Sequence, residues 1–303
     1  MNGIQETLIG GVAGGTAILI PALGELVGER AGVVNLGMEG CMLSGALGAY
    51  AVAVATGSAW IGLLGGLAAG AACGLLHAWM VVVRRADQLA SGLVVWFLAL
   101  GVTSVFGTGY VDDTVTPLPT LTVPGLGHLP FVGPVLFQQD ALVYVALVLV
   151  PVLWFLLYRT RLGLVLRATG ERPEVVGAAG GHPTAVQILA VTAGAALGGL
   201  GGAQLSVAYV GNWFNDMTSG YGFVAVAVVL FAAWRPFAVL AGALLFGVAL
   251  AAASVLQAHG VAVNQYLLDA MPYLVTLLAF VTFARKGSAE APEGLRRALT
   301  NSA

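Results

Sequence analysis

The chain has 303 residues, 59% of them hydrophobic and 9% charged, with a mean hydropathy of +0.93 and a formal net charge of -2. A soluble domain carries about a quarter charged residues, so this composition excludes one and points to an all-α polytopic membrane protein. The net charge says nothing about nucleic acid, and the sequence has no basic run to bind any.

In chain order, the N-terminus "MNGIQETLIGG" has no positive leader and carries Glu6. No cleaved signal peptide is expected, and the first apolar span is placed at 7–27. The stretch "GERAGVVNLGMEG", 28–40, follows with Glu29 and Arg30 at the boundary of the membrane. Asn35 and Glu39 stand four apart, which puts them on one face if the stretch is helical. A carboxylate at the centre of a bilayer costs about 2.5–3.5 kcal/mol on insertion scales, so it faces a cavity or a partner. Two roles stay open for Glu39: lining a pathway, or bracing the fold by pairing with Arg30 or capping a neighbouring helix.

Further spans are expected at 39–56, 60–83 and 88–110. Within them Cys41 and Cys73 read as small buried hydrophobes and His77 as a packed or interfacial histidine. Asp112 and Asp113 read as a solvated loop edge. The outer loop 111–138 contains Pro117, Pro119, Pro124, Pro130 and Pro134 and is expected to be turn-rich without long regular structure. After a span at 139–158 comes a polar, helix-capable loop, 159–183, where Pro173 suits the first turn of a short helix and Gly180, Gly181 and Pro183 end it.

The span 184–206 contains "GAALGGLGGA" at 194–203, a run that makes sense pressed against a neighbouring helix. The next loop, "VGNWFNDMTSGYGF", offers Asn212, Trp213, Asn215, Asp216 and Tyr221. Trp213 reads as an interfacial belt residue, or with Tyr221 and the amides as a stacking face for a polar ring. The apolar run 220–234 is short and ends at Arg235-Pro236, so a half-length helix is expected there. Spans at 237–257 and 266–284 bring the count to about nine, within eight to ten. Residues 1–286 then form the transmembrane domain, and 287–303 a short tail expected to be mobile.

Placing the C-terminus inside puts all 12 Lys and Arg residues on the cytoplasmic side. That is the positive-inside pattern, and it implies an outside N-terminus. No phosphate-binding loop, hydrolase elbow or zinc motif is present, and the four histidines, 77, 128, 182 and 259, are scattered. Neither an enzyme nor a bound metal or cofactor is expected.

The stretch "ALGELVGERAGVVNLGMEGCMLSGALGAY" resembles the signature of ABC-importer permeases of the ribose, branched-chain amino acid and nucleoside group. Its Gly-Val-Val-Asn-Leu-Gly-x-Glu-Gly core is most similar to the nucleoside, basic membrane protein type. Four more blocks follow in order: "SGLVVWFLALGVTS", "VPGLGHLPFVGPVLFQQDALVY", "RTRLGLVLRATGERPEVVGAAG" and "GYGFVAVAVVL". The chain looks like the shorter of two permeases. The resemblance implies a second permease subunit, a double-cassette ATPase that uses ATP and Mg, a substrate-binding lipoprotein, and a nucleoside-like cargo crossing a bacterial cytoplasmic membrane.

The resemblance also implies that 163–180 is the ATPase coupling element, through Arg167, Gly170, Glu171, Arg172, Pro173 and Glu174. Candidate pathway residues are Asn35, Glu39, Ser91, Trp96, Asn212, Trp213 and Tyr221. Trp96 and Arg172 stand where relatives often have Asn. Rival readings are a permease for sugars or branched-chain amino acids, and a proton-coupled secondary transporter built on Glu39. No second buried carboxylate or histidine relay is expected beside Glu39 to support the latter.

Overall fold

The computed structural model describes residues 3–111, 113–259, 274 and 292–296. In hydrocarbon every backbone polar group must be paired internally, and apolar runs of this length meet that demand as helices. The elements are α1 (Gly3–Arg30), α2 (Met38–Thr56), α3 (Ala59–Ala78, extended by a π turn Trp79–Val83), α4 (Gln88–Phe106, extended by a 3-10 turn Gly107–Tyr110) and β1 (Thr120–Thr122). Then come α5 (Val132–Leu136), β2 (Gln138–Asp140), α6 (Ala141–Arg159), α7 (Arg161–Glu171), α8 (Pro173–Ala178), α9 (Pro183–Ala203, extended by a π turn Gln204–Val210), α10 (Tyr221–Phe231) and α11 (Pro236–Ala258). β1 and β2 pair antiparallel, Leu121 facing Gln139.

Among the described residues seven helices are long and apolar enough to cross a membrane. They coincide with seven of the expected spans to within a few residues. The eighth, α10, has 11 residues and at about 1.5 Å per residue covers roughly 16 Å, half of a hydrocarbon layer about 30 Å thick. The expected ninth span, 266–284, lies outside the described residues apart from Leu274. The loop 111–138 contains no element longer than five residues among those described.

The core is organised around α1, which is buried from Gly11 to Glu29 except at Gly14. α9 crosses α1, α2 and α3 through its glycine run. An added Cβ at Gly199 would lie 2.9 Å from Gly70 Cα and would also strike the Gly66 carbonyl, so backbones meet there with no room for side chains. α6 begins on a polar cap: Asp140 accepts from the Leu142 and Val143 amides at 2.8 and 3.2 Å and from Gln204 Nε2 at 2.9 Å.

One expectation is corrected at the arginine-bearing end. The polar loop 159–183 folds as two consecutive helices, not one. Thr160 ends α6 and caps α7, its hydroxyl accepting from the Gly163 amide at 3.1 Å, and Pro173 opens α8. Within the tail, residues 292–296 pack against the bundle. Leu295 is 2% exposed in the main core, the Glu293 amide donates to Glu171 Oε2 at 3.2 Å, and Gly294 packs on the Gly170 carbonyl. Burial of Leu295 outweighs the polarity of its neighbours.

Candidate functional site

The site begins where α1 stops. Gly32 takes φ +89°, a conformation that favours glycine, and Val33 to Asn35 run without helical bonding until α2 starts at Met38. A non-helical stretch inside a bundle leaves peptide groups that need partners, and side chains from four helices supply them. Glu25 Oε1 accepts from the Asn35 amide at 2.7 Å, and Gln88 Oε1 accepts from the Val34 amide at 2.9 Å. Gln187 Nε2 donates to the Ala31 carbonyl at 3.2 Å, and His77 Nε2 lies 3.0 Å from the Val34 carbonyl. The other ring nitrogen of His77 is 2.9 Å from Ser91 Oγ, so buried Ser91 orients the imidazole.

Asn35 therefore does not share a helix face with Glu39, as the four-residue spacing implied. The left-handed Gly32 ends one helix, and the next begins three residues after Asn35. Among the described residues the Asn35 Nδ2 reaches only Cys41 Sγ, at 3.8 Å, and its Oδ1 is buried without a partner. An added Cβ at Gly37 would lie 2.9 Å from that oxygen and 3.0 Å from Val95 Cβ, which places the oxygen in the crevice between this stretch and α4.

Glu39, 1% exposed, lies in the first turn of α2. Oε1 accepts from Thr218 Oγ1 at 2.6 Å and the Gly220 amide at 2.8 Å, and Oε2 accepts from the Gly222 amide at 2.6 Å. These donors form the N-terminus of α10. A half-length helix ends inside the bundle with orphan N–H groups and a positive dipole end, and a carboxylate satisfies both. Gly222 must lack a side chain, since a Cβ would sit 2.5 Å from Glu39 Cα. Arg30 is elsewhere and does not pair with Glu39. It donates to Tyr158 Oη at 3.1 Å and to the Trp234 carbonyl at 3.2 Å.

The other end of α10 is tied to the same stretch. Ala233 and Trp234 both take positive φ, 49° and 56°, and the Trp234 indole donates to Glu29 Oε2. Glu29 is thus fully buried, at 0% exposure. Residues 29 to 39 grip α10 at both ends, through Glu29 and Arg30 at one and Glu39 at the other. Two further carboxylates, Glu25 and Glu29, are buried on α1; each accepts a hydrogen bond from an N–H of this chain, while Glu29 Oε1 has no partner among the described residues.

Trp96 on α4 packs edge-on to Phe223 of α10, with ring centroids 5.0 Å apart and planes at 86°, and its buried indole N–H has no partner. Gly40 lets it approach, since a Cβ there would lie 2.8 Å from Trp96 Cα. The outer-loop residues separate. Trp213 is 1% exposed and packs against Gly107, so it is neither a belt anchor nor an open stacking face; apolar burial of its ring prevails. Asn212 is exposed, and Tyr221 is half-buried at the start of α10. Glu25, Gln88, Gln187, Thr218 and Phe223 are partners that the sequence reading passed over. The available signal was a polar side chain within or at the start of an apolar span for Glu25, Gln88 and Gln187, and a ring two residues from Tyr221 for Phe223; Thr218, in the polar loop before α10, gave none.

Of the coupling candidates, Gly170 is buried against Arg30 and Gly32, a Cβ there lying 3.1 Å from the Gly32 amide nitrogen. Arg167 stacks its guanidinium on Tyr158 at 5.1 Å. Glu171, Arg172 and Glu174 are exposed, and Pro173 opens α8. No group of three or more metal-ligating side chains occurs among the described residues.

Residues 7–280 match the model of the branched-chain amino acid transport system / permease component family. A putative glucose ABC transporter permease of Haloferax volcanii is 44% identical over 240 residues, 78% of this chain and 73% of that protein. A guanosine ABC transporter permease of Bacillus subtilis is 33% identical over 291 residues, 91% of this chain and 90% of that one. A nucleoside ABC transporter permease of Lactococcus lactis is 31% identical over 293 residues, 92% of each. No solved structure gives a significant match. The chain belongs to this permease family, as a multi-pass membrane ABC transporter permease that is not itself an enzyme and works with other subunits.

Proposed function

We propose that this permease is one transmembrane subunit of an ATP-driven importer that carries nucleosides or related purines across the bacterial cytoplasmic membrane. The observation that carries the cargo reading is the end-to-end likeness to two permeases named for guanosine and nucleosides, over nine-tenths of every chain involved. In this reading nine spans cross the membrane within residues 1–286, the N-terminus lies outside, and the tail 287–303 lies inside. A second permease completes the pathway, a substrate-binding lipoprotein delivers cargo, and a double-cassette ATPase binds ATP and Mg. The Trp96–Phe223 pair beside the N-terminus of α10 offers an aromatic surface and an uncommitted indole donor, suited to a nucleobase. Asn35, Glu39, Ser91 and Tyr221 frame or brace that region.

A sugar is the second reading, favoured by the 44% identity to the putative glucose permease. Membrane vesicles carrying the complete transporter separate the two. ATP-dependent uptake of labelled guanosine that excess glucose leaves unchanged is the expected outcome. Uptake of glucose that guanosine fails to compete overturns the nucleoside reading and leaves the family intact.

α7 and α8 fit the coupling role because they display apolar side chains at the arginine-bearing end, Leu164 on α7 at 60% and Val175 on α8 at 55% exposure, as a surface awaiting a protein partner would. Gly170 connects α7 by direct packing to Gly32, the start of the stretch that ends in Glu39. Arg172→Ala/Glu174→Ala in the reconstituted complex is expected to reduce cargo-stimulated ATP hydrolysis about tenfold or more, equivalent to roughly 1.4 kcal/mol of coupling, with membrane insertion unchanged. Full stimulation in that variant argues decisively against the role.

A further inference from the structure

We propose that the cleft between α6 and the start of α11 is a binding site for one anionic glycerophospholipid, its phosphate held by Arg159 and Arg167 and its chains laid along the outer face of α6. The cleft has a volume of about 470 Å³ and is lined by Trp154, Tyr158, Arg235, Pro236, Phe237 and Ala238. Its walls are aromatic: Trp154 lies 6.3 Å from Phe237 and 6.5 Å from Tyr158, centroid to centroid. Two of the rings that line it carry guanidinium groups, Arg159 over Trp154 at 5.7 Å and Arg167 over Tyr158 at 5.1 Å. Neither has an ion pair with any described residue, and the Arg167 Nε is buried without an acceptor.

Arg30 donates to Tyr158 Oη at 3.1 Å, and its charge is opposed by buried Glu29. Uncompensated guanidinium groups packed on rings are a poor arrangement in isolation and a good one around a phosphate. The neighbouring surface suits acyl chains. Two grooves sharing Val152 run along α6, one lined by Tyr144, Val145, Val148 and Leu149, the other by Pro151, Phe155, Leu156, Thr160 and Leu162. An aromatic head site with guanidinium groups on its rings, on the same helix as two apolar grooves and at one end of a membrane bundle, suits a lipid better than a soluble anion. The assignment needs only that this end lies at a headgroup layer, so it stands apart from the cargo reading.

The test uses the purified full transporter, stripped of lipid, then titrated with phosphatidylglycerol or phosphatidylcholine in mixed micelles. Bound lipid is read by native mass spectrometry and protection by thermal unfolding. Phosphatidylglycerol is expected to bind preferentially, and Arg159→Gln/Arg167→Gln is expected to weaken it about 30-fold, two basic side chains' worth at a membrane surface. Arg159→Gln alone, an exposed position, is expected to weaken it about fivefold and serves if the double variant folds poorly. Unchanged phosphatidylglycerol binding in both variants overturns the site. Equal protection by inorganic phosphate overturns the lipid as occupant, and equal loss of phosphatidylcholine binding reduces the cleft to ordinary annular surface.

Discussion

Glu39→Ala is expected to lower the stability of the permease by about 3–5 kcal/mol, because it strands buried donors that now share one charged acceptor. The donors are the Thr218 hydroxyl and the Gly220 and Gly222 amides, at 2.6, 2.8 and 2.6 Å. Water does not reach these groups easily, so the loss is not made good by hydration. Glu39→Gln is milder but still harmful. Its carbonyl oxygen can keep Thr218 and Gly220, while its amide group turns a donor toward the Gly222 N–H and leaves that group unpaired, a penalty of about 1–3 kcal/mol. Thr218→Val removes one hydroxyl and leaves both backbone bonds, so about 1 kcal/mol is expected. The order Ala, Gln, Val in thermal midpoint, together with faster hydrogen exchange at the start of α10, identifies Glu39 as a helix brace. Loss of uptake with no change in stability in Glu39→Gln instead identifies direct contact with cargo.

How far this arrangement could be read in the sequence depends on the range of the forces involved. Span positions follow from local hydropathy and from Arg, Pro and Gly punctuation. The eight described ones, including short α10 before Arg235-Pro236, coincide with expectation for that reason. The glycine run at 194–203 was also legible, since no isolated helix favours it and only close approach explains it. Asn35 was misread because a four-residue spacing says nothing about the left-handed Gly32 that interrupts the helix. Glu25 escaped because its partner is the backbone of residue 35, a pairing created by that interruption. Trp213 was misread and the burial of Leu295 went unforeseen for one reason. Both sit in polar surroundings in sequence, yet each finds a tertiary pocket, Trp213 against Gly107 and Leu295 in the core near Gly294 and Gly170. Long-range packing decided all of these, and a single chain offers no direct signal of it.

The second large effect belongs to the seam where α2, α3 and α9 meet. Gly199→Ala adds one methyl group, normally a small gain in helix propensity of about 1 kcal/mol. Here the new Cβ would lie 2.9 Å from both Gly70 Cα and Gly70 N and would collide with the Gly66 carbonyl. Gly45, facing it from α2, has the complementary problem, its own Cβ reaching 2.6 Å from the Gly199 carbonyl carbon. Three backbones are therefore in mutual contact, and none can relieve the clash by rotating a side chain. Overpacking of this kind costs about 1–3 kcal/mol when neighbours can shift, and more is expected where all the neighbours are main chain. Gly199→Leu is expected to prevent assembly of the bundle altogether. Gly101→Ala on α4 is the internal control, because no atom lies within 4 Å of its Cβ position. That change is expected to be neutral or slightly stabilising by helix propensity alone. Thermal unfolding of the three variants in one detergent distinguishes a backbone seam from ordinary glycine tolerance: equal midpoints for Gly199→Ala and Gly101→Ala rule the seam out, and a clear drop confined to Gly199 locates the contact that holds the central helices at their observed separation.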